Sequence, residues 1–201
     1  IEAFNQAYSH IKKGLAFMPI CFGISFTKIH MNQAAALVHI YQDGSVGIST
    51  GATEMGQGVN TKLVQVAAAV LGTENNRVKI ETTNTTRVAN TSPTAASSGA
   101  DLNGKAIAKA CEELRQRLLR FAARKLGHLD SEEVDDIDIR DEAIWIKGLR
   151  SELAWEELVM DAYLARISLS AQAHYATPGI DFDPQTEKGS PFAYHVYGTS
   201  V

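Results

Sequence analysis

The chain has 201 residues, of which 45% are hydrophobic and 21% charged, and its formal net charge is -4. This balance is typical of a globular protein with a buried core, and so mild a charge gives no reason to expect nucleic acid or an acidic membrane surface as a partner. No run is long and apolar enough to span a membrane and no signal peptide is visible, so we expect a cytoplasmic protein. Cys21 and Cys111 lack metal-binding or redox spacing and are expected to behave as small apolar residues.

The N-terminal part of the chain predicts a helix, an ambiguous segment and a hairpin. Residues 1–13 are expected to be helical. Residues 21–30 are β-branched and aromatic, which favours either a strand or a loop that lines a site. Residues 32–41 and 45–50 have the pattern of two strands, and Gly44 between them is a strong hairpin signal.

A glycine-rich turn and an apolar helix follow this hairpin. Gly51, Gly56 and Gly58 punctuate the turn, and apolar side chains then recur at helical spacing over residues 59–71. Glycine permits positive φ, and the first N–H groups of a helix have no partner within it. The pattern predicts either an anion site, most often for phosphate, or a tight strand-to-helix connection that binds nothing.

A second loop with a similar relation to a helix comes next. Gly72 is expected to end the first helix, and residues 77–81 alternate like a strand with one buried face. Residues 82–98 are rich in Thr, Ser and Asn and long for a connection, and such loops tend to be functional or disordered. Because an amphipathic helix over residues 100–126 follows at once, an ordered loop and a second possible anion site are favoured, with N-cap candidates Ser97, Ser98 and Asp101.

The C-terminal part predicts smaller elements. The acidic stretch 130–136 is expected to be a solvated surface rather than a metal site. The remaining predictions are a hairpin over 137–146, a short helix that Ser151 caps and that runs through Leu158, a strand over 168–176, a loop over 178–189 and a strand-like run over 191–201. Taken together, the elements predict an α+β fold, a mostly antiparallel sheet with long helices packed on one face. Since the chain lacks an initial Met and stops within a strand-like run, we expect a fragment of a longer polypeptide.

Several common catalytic motifs are missing from the sequence. It contains no zinc-type Cys/His cluster, no Walker-type Gly-Lys-Ser/Thr, no Gly-x-Ser-x-Gly elbow and no dinucleotide-binding Gly-x-Gly-x-x-Gly. What remains is the two polar loops. Gln57 in the first can donate and accept hydrogen bonds, so it is either a ligand contact or an ordinary exposed turn residue. From the residues alone, an independent phosphate- or nucleotide-binding module stays open.

Both loops carry a family resemblance. Residues 51–58 (GATEMGQG) and 91–104 (TSPTAASSGADLNG) resemble the cofactor-binding signatures of the xanthine dehydrogenase and aldehyde oxidase family. Residues 22–27 (FGISFT) and 191–198 (PFAYHVYG) resemble the molybdenum-binding subunit of that family in the same register. Within the family, Phe26-Thr27 and the second loop favour the xanthine dehydrogenase branch.

The resemblance implies a domain organisation and a set of site residues. The chain is expected to be a fragment of one molybdopterin-binding domain, with a core over 20–126, an acidic hairpin and short helix over 127–165, and returning strands over 166–201. The cofactor-binding residues implied are Gly56, Gln57, Gly58, Thr94, Ala95, Ala96, Ser97 and Gly99. The substrate-binding residues implied are Phe26, which packs edge-on against the substrate ring, and its polar neighbour Thr27. No protein ligand to the metal is expected, because the pterin dithiolene holds it.

The resemblance also implies a reaction, the oxidative hydroxylation of a purine with water as the oxygen source. The cofactor implied is molybdenum–molybdopterin, either bare or as a dinucleotide, with iron–sulfur clusters and FAD elsewhere in the complete enzyme. The partners implied are the purine, the remaining segments of the molybdenum subunit and the iron–sulfur/FAD domains. The family's catalytic glutamate is expected beyond Val201, so no catalytic residue is assigned here and the fragment alone is expected to be inactive. Glu54 is not expected to replace that base, and a surface or structural role is expected for it. The alternatives are a molybdenum hydroxylase for another heterocycle or an aldehyde, and a non-catalytic module of the same fold.

Overall fold

The structure is a computed structural model that describes residues 1–127 and 136–201. The helices are α1 (Glu2–Ala7), α2 (Val59–Leu71), α3 (Gly99–Lys125) and α4 (Trp155–Leu164). The strands are β1 (Met18–Ile24), β2 (Gln33–Ile40), β3 (Val46–Thr50), β4 (Val78–Ile80), β5 (Ile137–Arg140), β6 (Ala143–Ile146), β7 (Leu149–Ala154), β8 (Ser170–Ala176), β9 (Asp181–Asp183), β10 (Lys188–Ser190) and β11 (Tyr194–Ser200). Apart from Asp136, the stretch for which we expected an acidic solvated surface lies outside the described residues.

A four-stranded sheet in the order β4-β3-β2-β8 forms the centre of the molecule. β2 is antiparallel to β3, as the hairpin signal at Gly44 predicted, and it is also antiparallel to β8, whereas β3 and β4 are parallel. That parallel pair follows from the intervening helix, because a helical crossover returns the chain in the same direction. Alternate residues of β2 are buried, so the sheet presents one apolar face.

The two long helices pack on that apolar face. α2 contributes buried Leu63, Ala67 and Leu71, and α3 contributes a longer buried stripe that includes Ala106 and Ala110. The predicted α+β fold, with long helices on one face of a mostly antiparallel sheet, is confirmed. Among the described residues, no helix is long and apolar enough to cross a membrane.

A smaller antiparallel sheet, β5-β6-β7, includes the hairpin predicted over 137–146. The turn of this hairpin is attached to the rest of the molecule by Arg77, which lies just before β4. Arg77 forms ion pairs with Glu142 of the turn and with Glu156 of α4. The Arg77 guanidinium holds the pKa of Glu142 below its ordinary value. The indole Nε1 of buried Trp155 also donates to the carbonyl of Gly44, at 2.8 Å.

Three sequence predictions about individual elements are wrong. The first helix ends at Ala7 rather than near residue 13, and it buries no residue, so packing does not extend it. Ser151 does not cap a helix: it lies in β7, which pairs with β6, and α4 begins only at Trp155. The segment expected to be a loop over 178–189 contains the short hairpin β9–β10.

The last strand pairs with the first. β1 and β11 form a separate antiparallel ribbon in which Met18 lies opposite Ser200 and Ile24 opposite Tyr194. The Tyr194 hydroxyl joins one end of the ribbon to Asp101 of α3, and Ile24, opposite Tyr194, is buried. Most of its side chains are exposed.

Candidate functional site

A buried hydrogen-bonded pair brings the two polar loops together. The Thr50 hydroxyl at the end of β3 donates to Oδ1 of Asn103 in α3 at 2.7 Å. Asn103 Nδ2 in turn donates to the carbonyl of Gly99 at 2.9 Å. Both side chains are buried, so each satisfies a polar group of the other away from water. The glycine-rich turn that leaves β3 therefore starts beside the N-terminus of α3.

Further contacts join the loops along their length. The Thr53 N–H donates to the Thr94 hydroxyl at 2.9 Å, and the Thr83 hydroxyl donates to the carbonyl of Ala52 at 2.8 Å. Gly51 has no room for a side chain because Thr91 lies against its α-carbon. Two segments that are far apart in the sequence thus form one continuous surface.

A cleft of about 350 Å³ opens between the loops. It is lined by Met55, Gln57, Val59, Lys62, Thr94, Ala95, Ser97, Gly99 and Ala100. Five residues of the sequence-predicted cofactor set therefore share this cleft. Gly56, Gly58 and Ala96 belong to the same two loops but do not line it, and neither Phe26 nor Thr27 lines it.

The start of α2 is already bound by a carboxylate of the chain itself. Glu54 Oε1 accepts the N–H groups of Gly56 and Gly58 at 2.9 and 3.0 Å, and its Oε2 accepts that of Asn60 at 3.0 Å. These bonds, with that of Asn60 first, lower the pKa of Glu54. Of the two alternatives for this helix start, an open anion site and a turn that binds nothing, the first is therefore blocked by the chain's own carboxylate, and Glu54 has a structural rather than a merely surface role. A carboxylate within the glycine-rich turn is the sequence signal for this arrangement.

Gln57 braces the same turn. Its Oε1 accepts the Met55 N–H at 2.6 Å, and its Nε2 donates to the Thr53 carbonyl at 2.8 Å. A primary amide has two N–H donors and two acceptor lone pairs. Gln57 thus keeps one donor and one acceptor beside the cleft that it lines.

The start of α3, by contrast, has free donors. Ser98 occupies the N-cap position, but its hydroxyl donates to the Ala95 carbonyl at 3.0 Å and makes no cap bond. In the part of the chain that the structure describes, the N–H groups of Gly99, Ala100 and Asp101 donate to no protein acceptor. Together with the helix dipole they favour a negative group. Ala96 and Ser97 precede them, each with φ of +53°.

Lys62 is a residue of the cleft lining that the sequence reasoning missed. It lies in the first turns of α2 and lines the cleft, and its ammonium forms no ion pair within the described ranges. Its charge would favour an anionic ligand. The only sequence signal for Lys62 is a weak one, namely a Lys one helical turn after a glycine-rich turn.

Phe26 and Thr27 lie just after β1. Phe26 is half-buried and Thr27 exposed. The backbone N–H and C=O of Phe26 both bind the side chain of Asn32, at 2.8 Å each. Asn32 therefore holds this segment in place, and the segment does not form part of the cleft lining.

Two other features do not compete with the cleft. Across residues 1–127 and 136–201, no group of three or more His, Cys, Asp or Glu side chains could hold a metal ion. A larger cavity of about 640 Å³ lies at the C-terminal end of α2, between Gly72, Arg115 and the β5–β6 turn. None of the sequence-predicted site residues lines it. The helix end that it adjoins is a C-terminus, and its lining carries more carboxylates (Glu74, Glu112, Asp138, Asp141 and Glu142) than guanidinium groups (Arg115 and Arg140), so it does not favour an anion.

Comparison with known sequences gives whole-chain matches. The family model described as molybdopterin cofactor-binding domain matches residues 1–201. The xanthine dehydrogenase/oxidase of Mus musculus is 42% identical over 200 residues, which is 100% of this chain and 13% of that protein. The xanthine dehydrogenase of Emericella nidulans is 40% identical over 201 residues, again 100% of this chain and 13% of that protein. The chain thus spans 13% of the length of the curated relatives it matches.

Solved structures share the fold at low sequence identity. Quinoline 2-oxidoreductase from Pseudomonas putida 86 matches with a TM-score of 0.70 and 23% identity, over 86% of this chain and 25% of that chain. The aldehyde oxidoreductase from Desulfovibrio desulfuricans matches with a TM-score of 0.69 and 17% identity, over 98% of this chain and 18% of that chain.

Proposed function

Because the chain belongs to the molybdopterin cofactor-binding domain family, we propose that its cleft is one wall of the molybdenum-cofactor site of a xanthine dehydrogenase. The observation that carries this proposal is the meeting of Gln57, Thr94, Ala95, Ser97 and Gly99 around one cleft. These residues come from two loops that the chain itself bonds together. The relatives that are similar along the whole chain are xanthine dehydrogenases, which supports a purine as the substrate.

The groups around the cleft suit such a cofactor chemically. A molybdopterin carries a phosphate and a pterin ring with hydrogen-bond donors and acceptors, and its sulfur atoms hold the metal. The three free N–H groups at the start of α3 and the ammonium of Lys62 match the phosphate, whether bare or part of a dinucleotide. The spare donor and acceptor of Gln57, with the hydroxyl groups of Thr94 and Ser97, match the polar edge of a pterin. When bound, the cofactor supplies the oxidative hydroxylation chemistry.

The remaining residues of the set act through the backbone. Gly56 and Gly58 have φ of +97° and +75°, and a Cβ at either position would meet no atom within 4 Å. Their bare backbone therefore leaves space for a ligand to approach. Because Glu54 already occupies their N–H groups, we assign the phosphate to the start of α3 and a turn-fixing role to Glu54. Ala96 would contribute its backbone, as would Gly99.

Phe26 and Thr27 complete the proposal as the purine-contacting residues. The half-buried Phe26 ring would pack against the flat heterocycle, and the exposed Thr27 hydroxyl would serve its polar edge. No residue of the chain is assigned as the general base. We assign that role, and turnover itself, to a complete enzyme that also carries iron–sulfur clusters and FAD and acts in the cytoplasm.

The domain organisation is part of the proposal. We assign residues 1–201 to one molybdopterin-binding domain, with a core over 20–126, a hairpin and short helix over 127–165 and returning strands over 166–201. Met18, Ile20, Phe22 and Val196 on the β1–β11 ribbon are each roughly half exposed or more, at 62%, 50%, 50% and 48%. Since such an apolar strip is unfavourable in water, we infer that other segments of the molybdenum subunit cover it.

The test uses the full-length protein, produced in a host that makes the cofactor. We expect bound molybdenum and pterin together with oxidation of xanthine. Gln57→Ala should lower metal content or activity, because the amide braces the turn and contacts the ligand. Gln116→Ala is the matched control, since this amide binds Glu112 on the surface of α3, away from the cleft.

Each outcome separates the rival functions. Metal with turnover of another heterocycle or an aldehyde, but not of xanthine, would move the substrate and keep the cofactor site. Absence of both metal and pterin would favour a non-catalytic module of the same fold. Unchanged metal content and activity in Gln57→Ala would contradict the role of Gln57.

A further inference from the structure

The segment before Phe26 has an unusual backbone conformation. Ser25 has φ of +133°, a region that L-residues rarely adopt, and yet it is buried, with only 6% of its surface exposed. Such a conformation persists only where the surroundings determine it, and it is common at sites that must hold a fixed geometry. The contacts that hold it are therefore informative.

Asn32 holds the next residue from the core side. Its side-chain oxygen accepts the Phe26 N–H and its side-chain nitrogen donates to the Phe26 carbonyl, both at 2.8 Å. Asn32 is 2% exposed, and its own carbonyl accepts the N–H of Thr177 at the end of β8. One buried amide thus ties the backbone of a single residue to the central sheet through two bonds.

The β1–β11 ribbon holds the segment from the other side. The Ala193 N–H donates to the Ile24 carbonyl at 2.9 Å and lies 3.4 Å from the Ser25 hydroxyl oxygen. The Tyr194 hydroxyl donates to the Asp101 carboxylate, with distances of 2.9 and 3.0 Å to its two oxygens. Since Asp101 lies in the first turn of α3, this bond ties the ribbon to the helix start beside the cleft.

We propose that Asn32 is a positioning residue for the substrate: it fixes the backbone of Phe26, and thereby the directions in which the Phe26 ring and the Thr27 hydroxyl are presented. This inference rests on the proposed function, in which these two side chains contact a purine. A flat ring can be held edge-on only if the aromatic partner keeps one orientation. A clasp at both the N–H and the C=O fixes the backbone from which the ring projects, and thereby restricts the ring to the rotamers that this backbone allows.

The experiment compares Asn32→Ala with wild type in the full-length, cofactor-loaded enzyme. We expect the variant to keep wild-type molybdenum content, to lose about 10- to 100-fold in kcat/KM for xanthine, as misplaced contacts do, and to show a raised KM. Hydrogen exchange at the Phe26 amide should also become faster, which is a readout independent of turnover. Val159→Ala is the control for general destabilisation, because it creates a cavity beneath the fully buried face of α4. It should lower thermal stability and leave both KM and this exchange rate unchanged.

Asn32→Asp separates the two halves of the clasp. The introduced carboxylate can still accept the Phe26 N–H but cannot donate, and it would face the Phe26 carbonyl. Burial raises the pKa of such a carboxyl group, and its protonated form regains a donor. The kcat/KM deficit relative to wild type should therefore shrink as the pH falls.

The outcomes distinguish this inference from the proposed function. Wild-type kinetics and exchange in Asn32→Ala, within an active enzyme, would overturn the positioning role alone. A KM change in Asn32→Ala that is no larger than the change in Val159→Ala would also overturn the positioning role. If the wild-type protein binds no molybdenum, or if it turns over no purine, the proposed function is contradicted, and the positioning role of Asn32 falls with it.

Discussion

At the residue scale, the Glu54 carboxylate makes a pH-dependent contribution to stability. Three backbone N–H groups lower its pKa from the ordinary value of 4.5. Its stabilising effect is therefore complete above pH 4.5 and is lost as the pH falls through the lowered pKa. We predict that Glu54→Gln lowers the thermal midpoint near neutral pH. The gap to wild type should close as the medium is made more acidic than pH 4.5, in thermal melts across a pH series.

Glu152→Gln is the matched control for this prediction. Glu152 is exposed, and within residues 1–127 and 136–201 it makes no side-chain hydrogen bond or ion pair. Its melting curve should follow that of wild type at each pH. A constant gap between Glu54→Gln and wild type over the whole series would show that the carboxylate charge is not what holds the turn.

The two loops that form the cleft could be picked out from the sequence, but the hydrogen bonds within the cleft could not. Glycines in one loop and small polar residues in the other marked both segments, because a ligand that approaches the backbone needs them. The sequence did not show that Glu54 occupies the N–H groups that an anion could otherwise bind at the start of α2. Whether this carboxylate binds its own turn depends on the direction of its side chain. Lys62 was missed for a similar reason, because its place in the cleft depends on the packing of α2 beside the second loop.

At the element scale, the pair Thr50–Asn103 determines how the two loops meet. We predict that Thr50→Val lowers the free energy of unfolding by about 1–3 kcal/mol, because it leaves the buried Asn103 oxygen without a donor. Denaturant unfolding of the 201-residue chain measures this change. Thr61→Val, at an exposed position of α2, should change stability by less than about 0.5 kcal/mol. Equal effects of the two substitutions would mean that the pair does not join the loops.

The elements themselves show which sequence signals are reliable. The hairpin at Gly44, α2 with its Gly72 cap, and α3 were all predicted because each combines a periodic apolar pattern with a local end signal. The prediction failed at Ser151, where a cap-like residue lies within a strand. There, pairing with β6 and burial of Leu153 outweigh local preference.

At the scale of the whole molecule, the pairing of β1 with β11 could not be predicted. Met18 meets Ser200 although they lie near opposite ends of the chain, and no local pattern encodes such a pairing. An isolated two-stranded ribbon is at best marginally stable in water. Its register places Ile20 opposite Gly198 and Phe22 opposite Val196, so these residues share one face of the ribbon.

Substitutions on this face of the ribbon test whether other segments of the molybdenum subunit cover it. In the 201-residue chain, Phe22→Glu should lower the free energy of unfolding by no more than about 1 kcal/mol, because the ring is already 50% exposed. We expect the exposed apolar face of the ribbon to drive concentration-dependent self-association of the wild-type 201-residue chain, and Phe22→Glu should weaken this association in sedimentation velocity. Tyr163→Glu, at a position on α4 that is 48% exposed, should leave association unchanged.

In the full-length protein, the same Phe22→Glu change should behave differently. If other segments of the subunit cover the ribbon, the new carboxylate is buried without a partner, and the protein should lose several degrees of thermal stability and much of its bound molybdenum. The Tyr163→Glu control should again resemble wild type. Equal tolerance of Phe22→Glu in both contexts would mean that the ribbon faces water in the complete protein, and its apolar face would then have no structural explanation.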